Sequence, residues 1–353
     1  VEFEPGKPAT SITKVVFKLP PGVEIDIQQM LGILIGKEPY ELFDARPEKP
    51  YLEGHVPSAK HAFPDDPEFL AKLPQDKSMM VVFYCGGPTC PFTGKAVEAA
   101  SANGYTNLKG FQAGIPGWNK AKLPVHSSPQ WVEGILDPHH VVLDVRDLPA
   151  SSAGRIPSAV AMPTAELQAM RDQFVAKQIK AALPGVTDKR ARIVLYADTH
   201  TRNNVLLAYK ELRDWGYKKV SILEGGFDQW TADGRPTDTG PAPREIVYVK
   251  KLAPGAISVD EFAKLEQSRD GVVFLDVRTA DEAAGGVLKG AKQIPLDSLD
   301  AKLDQLPKDQ EIVAYCANGI RAEMAYQKLK GLGYKVRFLN EEITVSADGS
   351  YKL

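Results

Sequence analysis

The sequence predicts an α/β architecture written three times, each unit a mostly parallel sheet covered by helices on both faces. Three observations carry that expectation. An apolar strand ending in Asp-x-Arg recurs at Phe43-Asp44-Ala45-Arg46, Leu143-Asp144-Val145-Arg146 and Leu275-Asp276-Val277-Arg278. A β-branched and aromatic strand follows in each copy: Val81-Val82-Phe83-Tyr84, Ile193-Val194-Leu195-Tyr196 and Ile312-Val313-Ala314-Tyr315. A loop and a helically spaced segment come next, closed by Gly104-Tyr105, Gly216-Tyr217 or Gly333-Tyr334, where glycine stops the helix.

The details within each unit support the repeat. Each arginine is followed eight residues later by glycine, at Gly54, Gly154 and Gly286, and that glycine opens a turn into a short strand. Apolar positions Ala322, Ala325, Tyr326 and Leu329 mark the third copy's helix. Copy two carries additional helical sequence from Thr164 to Leu183. A further strand runs to Gly114-Ile115-Pro116-Gly117-Trp118 in copy one and Gly226-Phe227-Asp228-Gln229-Trp230 in copy two, where the tryptophans anchor a closing helix or turn. Copy three departs there, reading Asn340-Glu341-Glu342. The segment before Pro21 and the ending Val345 to Tyr351 read as extended or hairpin appendages. Pro-rich stretches place domain boundaries at 1–126, 127–240 and 241–353.

A chain of 353 residues exceeds one core, since domains hold about 100 to 200 residues. Its 43 basic and 45 acidic side chains nearly cancel, which removes the electrostatic argument for nucleic acid or an anionic membrane as partner. The longest apolar runs, such as Met79 to Tyr84, are strand-sized, so no transmembrane segment is expected. The chain opens at Val1 without a charged-then-apolar leader, consistent with a removed signal peptide or a trimmed start. Three cysteines, Cys85, Cys90 and Cys316, cannot all pair among themselves, so at least one thiol is free or reactive.

Cys316 stands where a strand ends and a helix begins. A sulfur there faces unpaired backbone N–H groups with the positive end of the helix dipole behind them, which favours thiolate. The residues from Ala317 through Asn318, Gly319 and Ile320 to Arg321 form the surrounding loop. Gly319 lets it curl, the N–H groups can cradle an anion, and Arg321 offers a cation and a fork of donors to an oxyanion.

Strand, Asp-x-Arg, Gly-x-x-x-x-Ala, strand, Cys-x-x-Gly-x-Arg, helix and Gly-Tyr together resemble the rhodanese sulfurtransferase family, from about Val23 to the end. The resemblance implies three rhodanese-like domains, each with a mostly parallel five-stranded sheet. It also implies an enzyme in which a cysteine takes sulfane sulfur from a donor such as thiosulfate, as a persulfide, and passes it to a thiophilic acceptor. Cys316 would be the carrier and residues 317–321 its anion cradle. Four residues between Cys316 and Arg321 match the sulfurtransferase loop, whereas the related phosphatases use one more. Similar Tyr-Cys-Gly-Gly loops in exported rhodanese-like proteins imply a periplasmic or cell-envelope location, with the cytoplasm as the alternative.

Aligned on their tyrosines, the copies differ. Copy two has Ala197 at the cysteine position and is expected to be inactive, although Asp198-Thr199-His200-Thr201-Arg202 remains a polar loop able to bind an anion or serve as scaffold. Copy one reads Cys85-Gly86-Gly87-Pro88-Thr89-Cys90, which keeps the nucleophile at a second site, with Gly86 and Gly87 in its cradle, and replaces the arginine by a thiol. Cys90 is either a resolving thiol or an incidental loop residue. Cys-x4-Cys without neighbouring histidines departs from zinc spacings, so no metal is expected, nor any organic cofactor. His139-His140 read as surface residues after Pro138, and Arg46, Arg146 and Arg278 as internal ion-pair partners.

The expected partners are a small-molecule sulfur donor and acceptor, including a protein thiol as acceptor. Selenium as cargo, a relay between Cys85 and Cys316, and the oligomeric state stay open. The competing expectation is a non-catalytic or redox-sensing relay built from degenerate copies.

Overall fold

The computed structural model describes residues 17–353. Most of the opening segment before Pro21 therefore lies outside the described residues. The chain divides into two compact units, one ending at Lys250 and the other Lys251–Leu353.

The first unit holds two parallel sheets. Copy one contributes α1 (Ile27–Ile35), β1 (Tyr40–Asp44), α2 (Glu48–Glu53), β2 (Lys60–His61), β3 (Met80–Tyr84), α3 (Phe92–Ala102), β4 (Leu108–Phe111) and α4 (Gly114–Lys120). Its strands run in the order β2-β1-β3-β4, all parallel. Here the five-strand expectation is corrected to four strands plus one bridge. A fifth position at β4's edge holds only Glu24 against Gly110, with Ile25 N–H donating to Gly110 at 3.0 Å. Pro20 and Pro21 block extension on one side, and Asp26, the N-cap of α1, ends it on the other.

Copy two follows as β5 (His126–Ser127), α5 (Pro129–Glu133), β6 (His140–Asp144), α6 (Leu148–Ala153), β7 (Val160–Ala161), α7 (Thr164–Lys177), β8 (Arg192–Tyr196), α8 (Asn203–Asp214), β9 (Lys219–Leu223) and α9 (Gly226–Ala232). Five parallel strands order as β5-β9-β8-β6-β7. The extra helix α7 ends at Lys177, before the expected Leu183. His140 opens β6 half-buried and bonds Asp137 at 2.7 Å, correcting the reading of a surface pair, while His139 meets the carbonyl of Val249. Residues beyond 232 stay on this copy: Asp238 bridges Arg155, and Ala161 N–H donates to Pro243 at 2.9 Å.

The second unit contains β10 (Ala256–Ile257), α10 (Val259–Ser268), β11 (Val272–Asp276), α11 (Ala280–Ala283), β12 (Lys292–Gln293), β13 (Glu311–Tyr315), α12 (Ile320–Gly331) and β14 (Val336–Leu339). Its five parallel strands order as β10-β14-β13-β11-β12. No helix follows β14. The antiparallel hairpin of β15 (Thr344–Val345) and β16 (Tyr351–Lys352) ends the chain instead, as the terminal turn residues Asp348-Gly349 predict.

In each copy the middle strands are buried on both faces, as parallel strands under two helical layers must be. Phe83, Tyr84, Leu195, Tyr196, Ala314 and Tyr315 are all sequestered from solvent. The tryptophans anchor the closing turns as expected: Trp118 Nε1 donates to the Pro124 carbonyl at 2.7 Å and Trp230 Nε1 to that of Pro236 at 2.8 Å. Among the described residues no helix is long and apolar enough to cross a membrane.

Candidate active site

The eight-residue Arg-to-Gly spacing has a direct cause. Arg46 Nη2 donates to the Gly54 carbonyl at 2.5 Å, Arg146 Nη2 to Gly154 at 2.5 Å, and Arg278 Nη2 to Gly286 at 2.6 Å. The same guanidinium binds the aspartate two residues before it; in copy three Arg278 Nε and Nη2 reach the Asp276 carboxylate at 2.9 and 2.5 Å. Asp44, Asp144 and Asp276 are fully buried. The tyrosine before the loop completes the knot. Tyr84, Tyr196 and Tyr315 hydroxyls accept the backbone N–H of Val56, Ile156 and Leu288, at 3.0, 3.1 and 3.2 Å, and Tyr196 also donates to Asp144 at 2.9 Å. Burial and the neighbouring Asp276 charge hold the Tyr315 hydroxyl protonated. A buried ion pair thus fixes the strand end on which the next residue, Cys85, Ala197 or Cys316, is carried.

Cys316 is fully buried at the end of β13, with Sγ 3.8 Å from Asn318 Oδ1. Asn318 Oδ1 also accepts the Ile320 N–H at 3.3 Å, which ties the loop to the start of α12. Gly319 caps that helix at φ 86°, and a Cβ there would lie 2.5 Å from Asn340 Oδ1 and 2.8 Å from Asn340 Cα. Glycine is required on both counts, since a side chain would be strained and would collide with backbone. Ile343 N–H bonds the Ala317 carbonyl at 3.2 Å, so the segment after β14 buttresses the loop without the missing Gly-x-x-x-Trp.

Arg321 is near enough to Cys316 for their charges to interact, and its fork is engaged by a carboxylate. Nη1 and Nη2 each reach a Glu282 carboxylate oxygen at 2.6 Å. Glu282 is fixed in turn by a capping box, its carboxylate accepting the Thr279 N–H at 3.0 Å and hydroxyl at 2.9 Å. Arg321 and these Thr279 bonds hold the Glu282 carboxyl down at about 2, and Glu282 raises the guanidinium's affinity for its proton. The cation expected at the loop is therefore present and already paired.

The other copies place different groups at the same points. Cys85 is fully buried, and its Sγ points at carbonyl oxygens, 3.5 Å from Cys90 and 3.9 Å from Gly87. Burial, then the neighbouring Cys90, push its thiol up to about 11, the reverse of a thiolate-favouring shift. Gly114, the glycine that opens α4, sits against this loop at φ 58°, where a Cβ would be 2.2 Å from the Cys85 carbonyl oxygen. In copy two Ala197 is buried, Arg146 Nη1 lies 3.6 Å from Asp198, and His200 Nδ1 accepts the Gly225 N–H at 2.8 Å, so the loop's polar groups are tied to the elements beside it.

Sequence reasoning missed Glu282 and Asn340. Glu282 had a readable signal: it stands four residues after Arg278, where the other copies carry Pro50 and Ala150, and it completes Thr-x-x-Glu. Among the described residues no group of three or more His, Cys, Asp or Glu is placed to hold a metal ion.

A family profile described as the Rhodanese-like domain matches residues 28–121, 128–233 and 258–344. The chain belongs to the rhodanese-like family. A sulfurtransferase of Allochromatium vinosum is 34% identical over 65 residues, covering 18% of this chain and 61% of that protein. The human thiosulfate:glutathione sulfurtransferase is 32% identical over 92 residues, 22% of this chain and 79% of its own. The chain thus spans under two thirds of the bacterial relative's length. A thiosulfate sulfurtransferase structure from Pseudomonas aeruginosa aligns over 90% of this chain and 66% of its own, with 19% identity and a TM-score of 0.27.

Proposed function

We propose that the chain is a sulfurtransferase with Cys316 as its persulfide carrier. The observation that carries this reading is the convergence on Cys316 of a strand end, a helix N-terminus opened by Gly319, and the Arg321 guanidinium, a combination that neither sister loop keeps. The Cys316 thiolate attacks the outer sulfur of a donor such as thiosulfate. The donor's S–S bond breaks, sulfite leaves with the bonding pair, and Cys316 keeps the sulfane sulfur as a persulfide. A thiophilic acceptor then attacks that outer sulfur and restores the thiolate.

The first-turn N–H groups of α12 face the developing negative charge, and Arg321 supplies further donors. Because Glu282 already occupies the fork, an incoming oxyanion shares the guanidinium rather than holding it alone. Copy two, with Ala197, contributes scaffold. Copy one is a second thiol site of different chemistry, since Cys85 faces carbonyl oxygens and no arginine.

Thiosulfate:cyanide sulfur transfer tests the reading. Cys316→Ala is expected to lower the rate of thiocyanate formation roughly a thousandfold or more, whereas Cys85→Ala leaves it within about twofold. Retained activity in Cys316→Ala with loss in Cys85→Ala would move the site to copy one.

A further inference from the structure

In copy one, Cys90 occupies the position that Arg321 holds in copy three, and the fold brings the two thiols together. Cys85 is fully buried at the end of β3, while Cys90 is half-buried just before α3. Cys85 Sγ lies 3.5 Å from the Cys90 carbonyl oxygen, and a Cβ on Gly86 would lie 3.7 Å from Cys90 Sγ. The turn that folds the loop back is closed by Cys90 N–H donating to Gly87 at 2.9 Å, with Gly87 at φ 107°. Thr93 stands beside them. Its hydroxyl is buried without a hydrogen-bond partner, and its hydroxyl and backbone N–H favour the Cys85 thiolate, though less than burial opposes it. The nearest lysine in sequence, Lys95, is taken by Asp65 at 2.9 Å.

We propose that Cys90 and Cys85 form a dithiol/disulfide couple that reduces sulfane sulfur to sulfide, Cys90 taking up the sulfur and Cys85 expelling it. The substrate class is a persulfide, small or protein-borne. The Cys90 thiolate attacks the outer sulfur of R–S–SH; the S–S bond breaks, the thiolate RS− leaves with the bonding pair and takes up the persulfide proton as RSH, and Cys90 holds the sulfane sulfur as a persulfide. Cys85 then attacks Sγ of the Cys90 persulfide. The Cys85–Cys90 bond forms, the bond to the sulfane sulfur breaks, and that sulfur leaves with the Cys85 proton as hydrogen sulfide. Two electrons pass from the thiol pair to the sulfane sulfur, and a dithiol reductant restores the pair.

Exposure decides the roles. Solvent and substrate reach Cys90, whereas Cys85 can act only on what Cys90 holds. The spare Thr93 hydroxyl is the donor that stabilises Cys85 thiolate as it forms. Because burial favours the protonated Cys85 thiol, the expulsion step quickens as pH rises through neutrality. This couple uses thiols distinct from Cys316, so it stands or falls separately from the Cys316 reading.

The test uses the reduced full-length Cys316→Ala chain and one equivalent of cysteine persulfide, with a protein-free blank. The expected result is about one sulfide released per chain and a Cys85–Cys90 disulfide seen as loss of two hydrogens. Cys85→Ser should hold a stable extra sulfur on Cys90 and release sulfide at least roughly tenfold more slowly, and Cys90→Ser should block uptake. A Cys90→Ser chain that loads Cys85 and releases sulfide at the parental rate would overturn the proposal, as would a parent that keeps its persulfide. If Cys85→Ser does not fold, alkylation order in the parent decides the roles: iodoacetamide should modify Cys90 before Cys85, and the reverse order contradicts the assignment.

Discussion

Asp276→Ala should destabilise the C-terminal unit by about 3–5 kcal/mol, the cost of removing one partner from a buried ion pair. Asp276 is fully buried, and Arg278, 5% exposed, would keep its charge with only carbonyl oxygens to receive it. The Tyr315 hydroxyl would lose the neighbouring Asp276 charge in the same step. That loss is a large share of a domain's usual stability of about 5–15 kcal/mol. Because Tyr315 directly precedes Cys316, the damage falls on the loop. Tryptophan fluorescence cannot report it, since Trp118, Trp131, Trp215 and Trp230 all lie in the first unit. Alkylation of buried Cys316 in a urea series can. Its half-labelling point should fall well below that of the unsubstituted chain, and an unchanged point would show that the ion pair is not what holds this strand end.

The first unit should lose stability as pH falls from about 7.5 to 5, through His126. His55 and His126 pair backbone to backbone, each N–H donating to the other's carbonyl at 2.9 Å, and the His126 ring lies 4.9 Å from that of His200. Glu224 faces His55 Nε2 at 3.5 Å. Burial, then the neighbouring His200 and His55, pull His126 down to about 3. A base whose folded pKa is depressed binds fewer protons folded than unfolded. Stability is therefore complete above the unfolded value of about 6.5 and is lost progressively below it, by about 2 kcal/mol at pH 5. Glu224, held below its ordinary carboxyl value mainly by His55, adds its own loss only at lower pH. Urea unfolding followed by tryptophan fluorescence at the two pH values reads the effect. His126→Gln should show the smaller drop, and parallel losses in the two proteins would refute the assignment to His126.

The repeat was legible because its parts are local. Asp-x-Arg, the glycine eight residues on and the tyrosine before the loop recur at fixed spacing, and one guanidinium spans that spacing in every copy. Cys316 and Arg321 were legible for the same reason, being five residues apart across one strand-to-helix turn. What the sequence concealed depends on contacts distant in the chain. Asn340 supports Gly319 from beyond β14, and His55, His126 and His200 converge from separate elements. The state of Cys85 was hidden too, because its motif matches that of a reactive thiol while burial and two carbonyl oxygens set the opposite preference. The fifth strand of copy one failed for a local reason that was readable in Pro20-Pro21.

The central claim is that Cys316 carries the transferred sulfur. Mass analysis of the Cys316 peptide after one equivalent of thiosulfate, without acceptor, tests it most directly. One added sulfur on that peptide, removed by cyanide, is the predicted result; an unmodified Cys316 peptide, with sulfur elsewhere or nowhere, would contradict it.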